Sequence, residues 1–163
     1  MEVQQAPEFT LEHVEGHPVS LSDFRGRTVV VAFSSKDNTD QIAQGIETLR
    51  TQFDPESLPV IAIADQRGVP RPARMIAKKK LKGAYDEAVQ KAIAQHESAG
   101  LAPRPGHELV VMLPDWGGDV APGFGIPDVD QEAAMVLVDK EGRVRGVARG
   151  AGCGQEIIGM FRS

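Results

Sequence analysis

The sequence predicts a single α/β domain, a sandwich built on a mixed central sheet. Three observations carry that prediction. Four short runs, Thr28–Phe33, Leu58–Ala64, Leu109–Leu113 and Ala134–Val138, are almost wholly apolar, the pattern of strands buried on both faces. Helix-period segments separate the first three runs, which is the parallel β-α-β arrangement with helices on the sheet faces. The last run meets a turn, Asp139-Lys140-Glu141-Gly142, and a returning strand, Arg143–Arg149, so one edge of the sheet is antiparallel.

Taken in order, Phe9–Glu15 and Val19-Ser20-Leu21 flank Gly16-His17-Pro18 and predict a β-hairpin. After the first buried strand, Asn38 or Thr39 caps a helix whose residues Ile42, Ile46, Leu49 and Phe53 form one stripe. With Asn38 as the cap, Gln41 takes the reciprocal capping-box position. Pro70 and Pro72 set up a long helix running to about Ser98, since proline is tolerated in a first turn and hardly elsewhere. Its apolar face is Leu81, Tyr85, Ala88, Val89, Ala92 and Ile93. Pro103 and Pro105 end it. A Gly/Pro-rich stretch, Asp115–Pro127, leads into the fourth run, and Gln155–Phe161 closes the chain as a short amphipathic helix. Phe24, Phe33 and Phe53 read as core, and Trp116 sits in a loop where it covers the sheet edge or anchors a partner.

The 163 residues suit one domain, 1–163, with neither repeat nor linker. Such a chain buries roughly two-thirds of its unfolded surface, enough for one core without staples. The net charge of −5 argues against non-specific nucleic-acid binding, which needs excess Lys and Arg. No apolar run exceeds seven residues, far short of the roughly 20 that span a bilayer. Met1-Glu2-Val3-Gln4-Gln5 has no basic-then-apolar leader, so a cytoplasmic location is expected. One cysteine makes neither a disulfide framework nor a Cys-Cys metal clamp.

Several strings resemble the redoxin branch of the thioredoxin-like superfamily, which contains peroxiredoxins, the alkyl hydroperoxide reductase and thiol-specific antioxidant proteins, and thiol-disulfide reductases. Ala6-Pro7-Glu8-Phe9-Thr10-Leu11, then Val19-Ser20-Leu21-Ser22-Asp23-Phe24-Arg25-Gly26, is similar to the family's opening hairpin. Thr28–Phe33 resembles its central strand, Asp115–Ile126 the segment before the penultimate strand, and Val136–Gly142 its hairpin. The resemblance implies a thioredoxin-like three-layer sandwich with an N-terminal β-hairpin.

It also implies a cysteine at the first turn of the helix after the central strand, where N–H groups and the helix dipole stabilise the reactive thiolate. The segment here reads Phe33-Ser34-Ser35-Lys36-Asp37-Asn38-Thr39-Asp40-Gln41-Ile42. Thr39 matches the family threonine, Ile42 occupies the cysteine position, Ser35 replaces the proline, and there is no Cys-x-x-Cys. The proline or arginine that the family carries before its penultimate strand falls near Ala133, and neither is present. Ile42 is in phase with Ile46 and Leu49, so the apolar stripe has absorbed the reactive position.

Two candidate sites remain. Cys153, in Gly150-Ala151-Gly152-Cys153-Gly154, precedes the last helix, where N–H groups and nearby Arg149 would lower its pKa. The competing reading is a free cysteine acting as a small hydrophobe. The second candidate is the basic segment Arg67, Arg71, Arg74, Lys78, Lys79, Lys80 and Lys82, beside the carboxyl end of the second parallel strand, where open α/β sheets place ligands. Its bland alternative is a solvated helix face balanced by Asp86, Glu87 and Glu97. Arg143, Arg145 and Arg149 fit a solvated sheet edge. His13 and His17, with Glu12 and Glu15, read as a surface turn rather than a metal site, and His96 and His107 have no partner at ligand spacing.

The leading expectation is therefore a redoxin-like protein without the peroxidatic centre that acts by binding. Its partner would be a protein or a small anionic ligand, with no cofactor or metal, and a homodimer is allowed. The alternative is an antioxidant or thiol oxidoreductase that uses Cys153 as a single thiol with an external resolving thiol. A third reading is a carrier or sensor of an anionic ligand at Arg67, Arg71 and Arg74.

Overall fold

The structure, a computed structural model, describes residues 5–126 and 128–162. The N-terminal residues 1–4, Pro127 at the end of the Gly/Pro-rich stretch, Ser163 and the His107 side chain lie outside what is described.

Thr10–Glu12 (β1) and Pro18–Ser20 (β2) form a two-stranded antiparallel sheet with Leu11 opposite Val19. Gly16 turns the chain between them at a φ of 101°, a conformation that glycine adopts without a Cβ penalty. The main sheet comprises Val29–Ser34 (β3), Val60–Asp65 (β4), Val111–Asp115 (β5), Ala134–Val138 (β6) and Val144–Arg149 (β7). Their spatial order is β5-β4-β3-β6-β7. β3, β4 and β5 run parallel, while β6 and β7 are antiparallel additions on the other side of β3. Every residue of β3 and of β6 is buried, as expected of unbroken apolar strands.

Strand alternation divides the core in two. Val29, Val31 and Phe33 of β3 share one face with Ile61, Ile63, Leu113 and Val136. That face is closed by Phe9, Val19 and Leu21 of the hairpin region and by Phe124, Ile126 and Val129. Val30, Ala32, Met135 and Leu137 point the other way, against Thr39–Arg50 (α1) and Cys153–Arg162 (α5). The predicted stripe of α1 is buried at Ile42 and Leu49 and half-buried at Ile46 and Phe53. Burying a side chain such as Leu49 contributes about 1.5–3 kcal/mol. The two helices cross at glycines. A Cβ on Gly154 would lie 2.5 Å from the Gly45 carbonyl oxygen, and one on Gly45 would lie 2.9 Å from the Cys153 Sγ.

The long helix, Arg74–Ser98 (α2), follows a 3-10 turn at Arg71–Ala73, as the two prolines require. Its apolar face is less buried than the sequence predicts. Only Tyr85 of the expected stripe is fully buried, and no α2 residue joins either core. The reason lies in the hairpin, which with Ala121, Phe124, Ile126 and Val129 already occupies the sheet face.

Strand boundaries also shift. Leu109 ends a short helix, Gly106–Leu109 (α3), and Leu58 precedes β4. Pairing with the neighbouring strands, Val60 opposite Val30 and Val111 opposite Ile61, sets these starts rather than the limits of the apolar runs. Phe24 and Phe53 are half-buried at the periphery rather than core; Phe53 packs edge-on against Phe161, with centroids 4.8 Å apart. A four-residue helix, Val120–Gly123 (α4), lies within the Gly/Pro-rich stretch, and α5 begins two residues before the predicted helix.

Candidate functional site

The carboxyl end of β3 runs through Ser34 and Ser35 into the first turn of α1. Asn38 stands at the N-cap, but its side chain makes no capping bond. Its Oδ1 instead accepts the Ser35 N–H at 2.8 Å, and its Nδ2 donates to the Val129 carbonyl at 2.5 Å. Gln41, predicted to complete a capping box, turns away, and its Oε1 accepts the Ala133 N–H at 3.0 Å. Two polar side chains thus tie α1 to the segment before β6. Thr39 is exposed, and Ile42 is 6% exposed and packed in the second core. At the position where the sequence resemblance puts a thiol, this turn offers hydrocarbon.

Cys153, expected just before the last helix, is the first residue of α5 and is 0% exposed within the second core. Of the two readings of this residue, its place in the core fits the small hydrophobe. Burial pushes the thiol up, outweighing the backbone N–H groups of Gly154 and Cys153 that favour the thiolate. Arg149 does not assist, because its guanidinium pairs with Asp128 at 2.8 Å. The side chain behaves as a small hydrophobe, wedged against Gly45.

The basic segment gathers at the carboxyl ends of β4 and β5. Asp65 and Asp115 are register partners there. Asp65 holds Arg67 through the Arg67 N–H at 2.9 Å and the guanidinium at 3.0 Å, while Asp115 accepts the Val120 N–H at 3.0 Å. Arg74 lies over the Trp116 ring at 5.4 Å, so that residue covers this edge. Gly118 packs against the Arg67 stem, so one loop runs beneath both arginines. Arg67 and Arg74 are therefore engaged within the chain. Arg71, Lys78, Lys79 and Lys80 are exposed and make no ion pair among the described residues, and Met75 and Ile76 beside them are 74% and 62% exposed.

The His13–His17 turn departs from the solvated surface turn predicted. His13 is 2% exposed, stacked on His17 at 4.4 Å and edge-on to Tyr85 at 4.9 Å. The Glu15 N–H donates to its Nδ1 at 3.0 Å. The Tyr85 hydroxyl donates to Glu15 at 2.7 Å, which docks α2 onto the hairpin. Burial, then the Glu15 contact, pushes the Tyr85 phenol far up. Among the described residues no group of acids, histidines and cysteine is arranged to hold a metal. No helix of the described residues is long and apolar enough to cross a membrane.

Sequence reasoning missed the Asn38 and Gln41 ties, the Asp65–Asp115 pairing and the burial of His13. None has a local signal, because each joins segments far apart in the chain. The strand phases of Ile63 and Leu113 would have placed the two aspartates on one face once the register was known.

A model of the AhpC/TSA family matches residues 3–147. No curated protein matches the chain. Among solved structures, the chain is similar to the exposed lipoprotein thioredoxin of Streptococcus pneumoniae, with a TM-score of 0.61, 17% identity and coverage of 96% of this chain and 98% of that one. The thioredoxin domain of a Bacteroides vulgatus thiol-disulfide oxidoreductase gives a TM-score of 0.60 at 18% identity, covering 98% and 97%. A Bacteroides fragilis thiol-disulfide oxidoreductase gives 0.60 at 16%, covering 97% and 99%. At these identities the structural likeness establishes the thioredoxin-like fold predicted from the sequence.

Proposed function

The chain belongs to the AhpC/TSA family, and on that premise we propose that it keeps the family's fold and acts by binding, not by thiol turnover. The observation that carries this reading is the burial of both relevant positions. Ile42, at the position of the family cysteine, is 6% exposed, and Cys153, the one thiol in the chain, is 0% exposed with its pKa pushed up. A nucleophilic thiol must be both ionised and reachable. The alternative of Cys153 as a single catalytic thiol meets neither condition. The ties from Asn38 and Gln41 support the same reading, since they occupy polar backbone groups next to the family's reactive turn. Peroxide consumption and insulin reduction, measured with excess dithiothreitol, test it: rates equal to those of Cys153→Ala are expected, and turnover above that level overturns it.

The exposed Met75 and Ile76 favour a particular binding mode. They sit among Arg71, Lys78, Lys79 and Lys80 at the start of a helix with no acidic residue in its first turn. Cations there oppose the helix dipole, so an anionic partner would relieve that repulsion. An acidic polypeptide with aliphatic side chains fits this surface. Poly-glutamate binding that weakens with salt and disappears in the triple variant Lys78→Glu, Lys79→Glu, Lys80→Glu supports this reading; binding unchanged in the variant removes it.

A further inference from the structure

A cavity of about 260 Å³ lies at the end of the sheet where β4 and β5 begin, opposite the end that carries the first turn of α1. Its lining includes Phe24, Pro59 and Leu109 together with three arginines, Arg27, Arg50 and Arg104. These cations come from three separate segments: the turn before β3, the last turn of α1 and the loop before α3. Arg50 donates through one nitrogen to the Leu58 carbonyl at 2.8 Å and to the Phe53 carbonyl at 3.4 Å. Among the described residues it has no carboxylate within ion-pair distance. Arg27 donates to the Glu56 carbonyl at 3.0 Å. Arg104 reaches the carboxylates of Glu56 and Glu108 only at 3.5 and 3.6 Å. Glu108 is the one acid on the lining.

We propose that this cavity binds a small organic carboxylate, its head group held by Arg50 and Arg104 and its apolar body lying against Phe24 and Leu109. Three considerations point that way. Arginine presents a planar fork that matches a carboxylate, and among the described residues only one terminal nitrogen of Arg50 makes a hydrogen bond. Arg50 is half-buried, and drawing a cation out of water is costly without an anion. Burial pushes the Arg50 guanidinium down to about 10, an effect the Asp54 charge offsets in part, so it remains cationic at neutral pH. The volume falls below the roughly 300–1,000 Å³ typical of drug-sized ligands, which selects a small occupant. The apolar walls and Glu108 disfavour a bare multivalent anion. This inference concerns a different end of the molecule from the family's reactive turn and stands whether or not thiol turnover is found.

The test uses the full chain, labelled for amide NMR, with 4-phenylbutyrate as probe. Neutral 4-phenylbutanamide and inorganic phosphate are the comparators. Saturable shifts are expected at Arg27, Val60, Glu108 and Leu109 with 4-phenylbutyrate, and not with either comparator. Arg104→Gln, at the rim, is expected to weaken binding about tenfold with the fold intact, as loss of a charge-assisted bond implies. Arg50→Lys keeps the charge but removes the fork, and is expected to weaken binding by a similar factor. Equal binding of the amide, equal binding of phosphate, shifts located elsewhere, no binding of 4-phenylbutyrate, or unchanged affinity in both variants would each overturn the proposal.

Discussion

The Gln41 side chain accepts the backbone N–H of Ala133 at 3.0 Å, joining the first turn of α1 to the residue that leads into β6. With Asn38 bound to Val129, this closes the turn against the neighbouring segment. Gln41→Ala leaves a buried backbone donor without a partner, which costs about 1–3 kcal/mol. Chemical denaturation is expected to show that loss, and faster exchange of the Ala133 amide should accompany it.

The close approach of α1 and α5 makes a second expectation. Gly154→Ala would drive a Cβ into the Gly45 backbone, which cannot yield as a flexible side chain would. A cost of about 1–3 kcal/mol is expected for such overpacking. Gly159→Ala, in open space on the same helix, is expected to be neutral or slightly stabilising in the same thermal melts.

Alkaline stability follows from two buried acids. Burial raises the Cys153 thiol above its ordinary 9.0 and, with Glu15, raises the Tyr85 phenol above its ordinary 10.0. The unfolded chain therefore releases these protons while the folded chain keeps them, and stability falls as pH rises through that range. The decline should begin near pH 9 and become shallower in Cys153→Ala with Tyr85→Phe. Denaturation midpoints between pH 7 and 11 check this.

Tyr85 also anchors α2, whose other stripe residues are only half-buried. Tyr85→Ala removes both the Glu15 hydrogen bond and the His13 ring contact. Hydrogen exchange across Arg74–Ser98 is expected to quicken well before that of β3, because α2 shares neither core. Equal protection of α2 before and after the substitution would show that other contacts hold it.

The sheet was legible through its central strands β3 and β6, which are buried on both faces, since unbroken apolar runs such as residues 29–33 have few other uses. The hairpin turn at Asp139–Gly142 was equally legible, since Asp139 Oδ1 accepts the N–H groups of both Glu141 and Arg143. Burial of Ile42 followed from its phase with Leu49. The sequence left two readings of Cys153 open because helix-terminus N–H groups are visible in sequence while desolvation by residues as distant as Gly45 and Met135 is not. The same limit hid His13, which is buried by the remote Tyr85, and the guanidinium cluster drawn from positions 27, 50 and 104.

The proposed binding role rests on Cys153 lying out of reach of peroxide in the second core. Its most direct test is the rate at which the folded full chain consumes hydrogen peroxide with excess dithiothreitol, beside Cys153→Ala. Both proteins are expected to match the buffer rate, with Cys153 unoxidised by intact mass until the chain is unfolded. Peroxide turnover by the folded protein, abolished in Cys153→Ala, would contradict it.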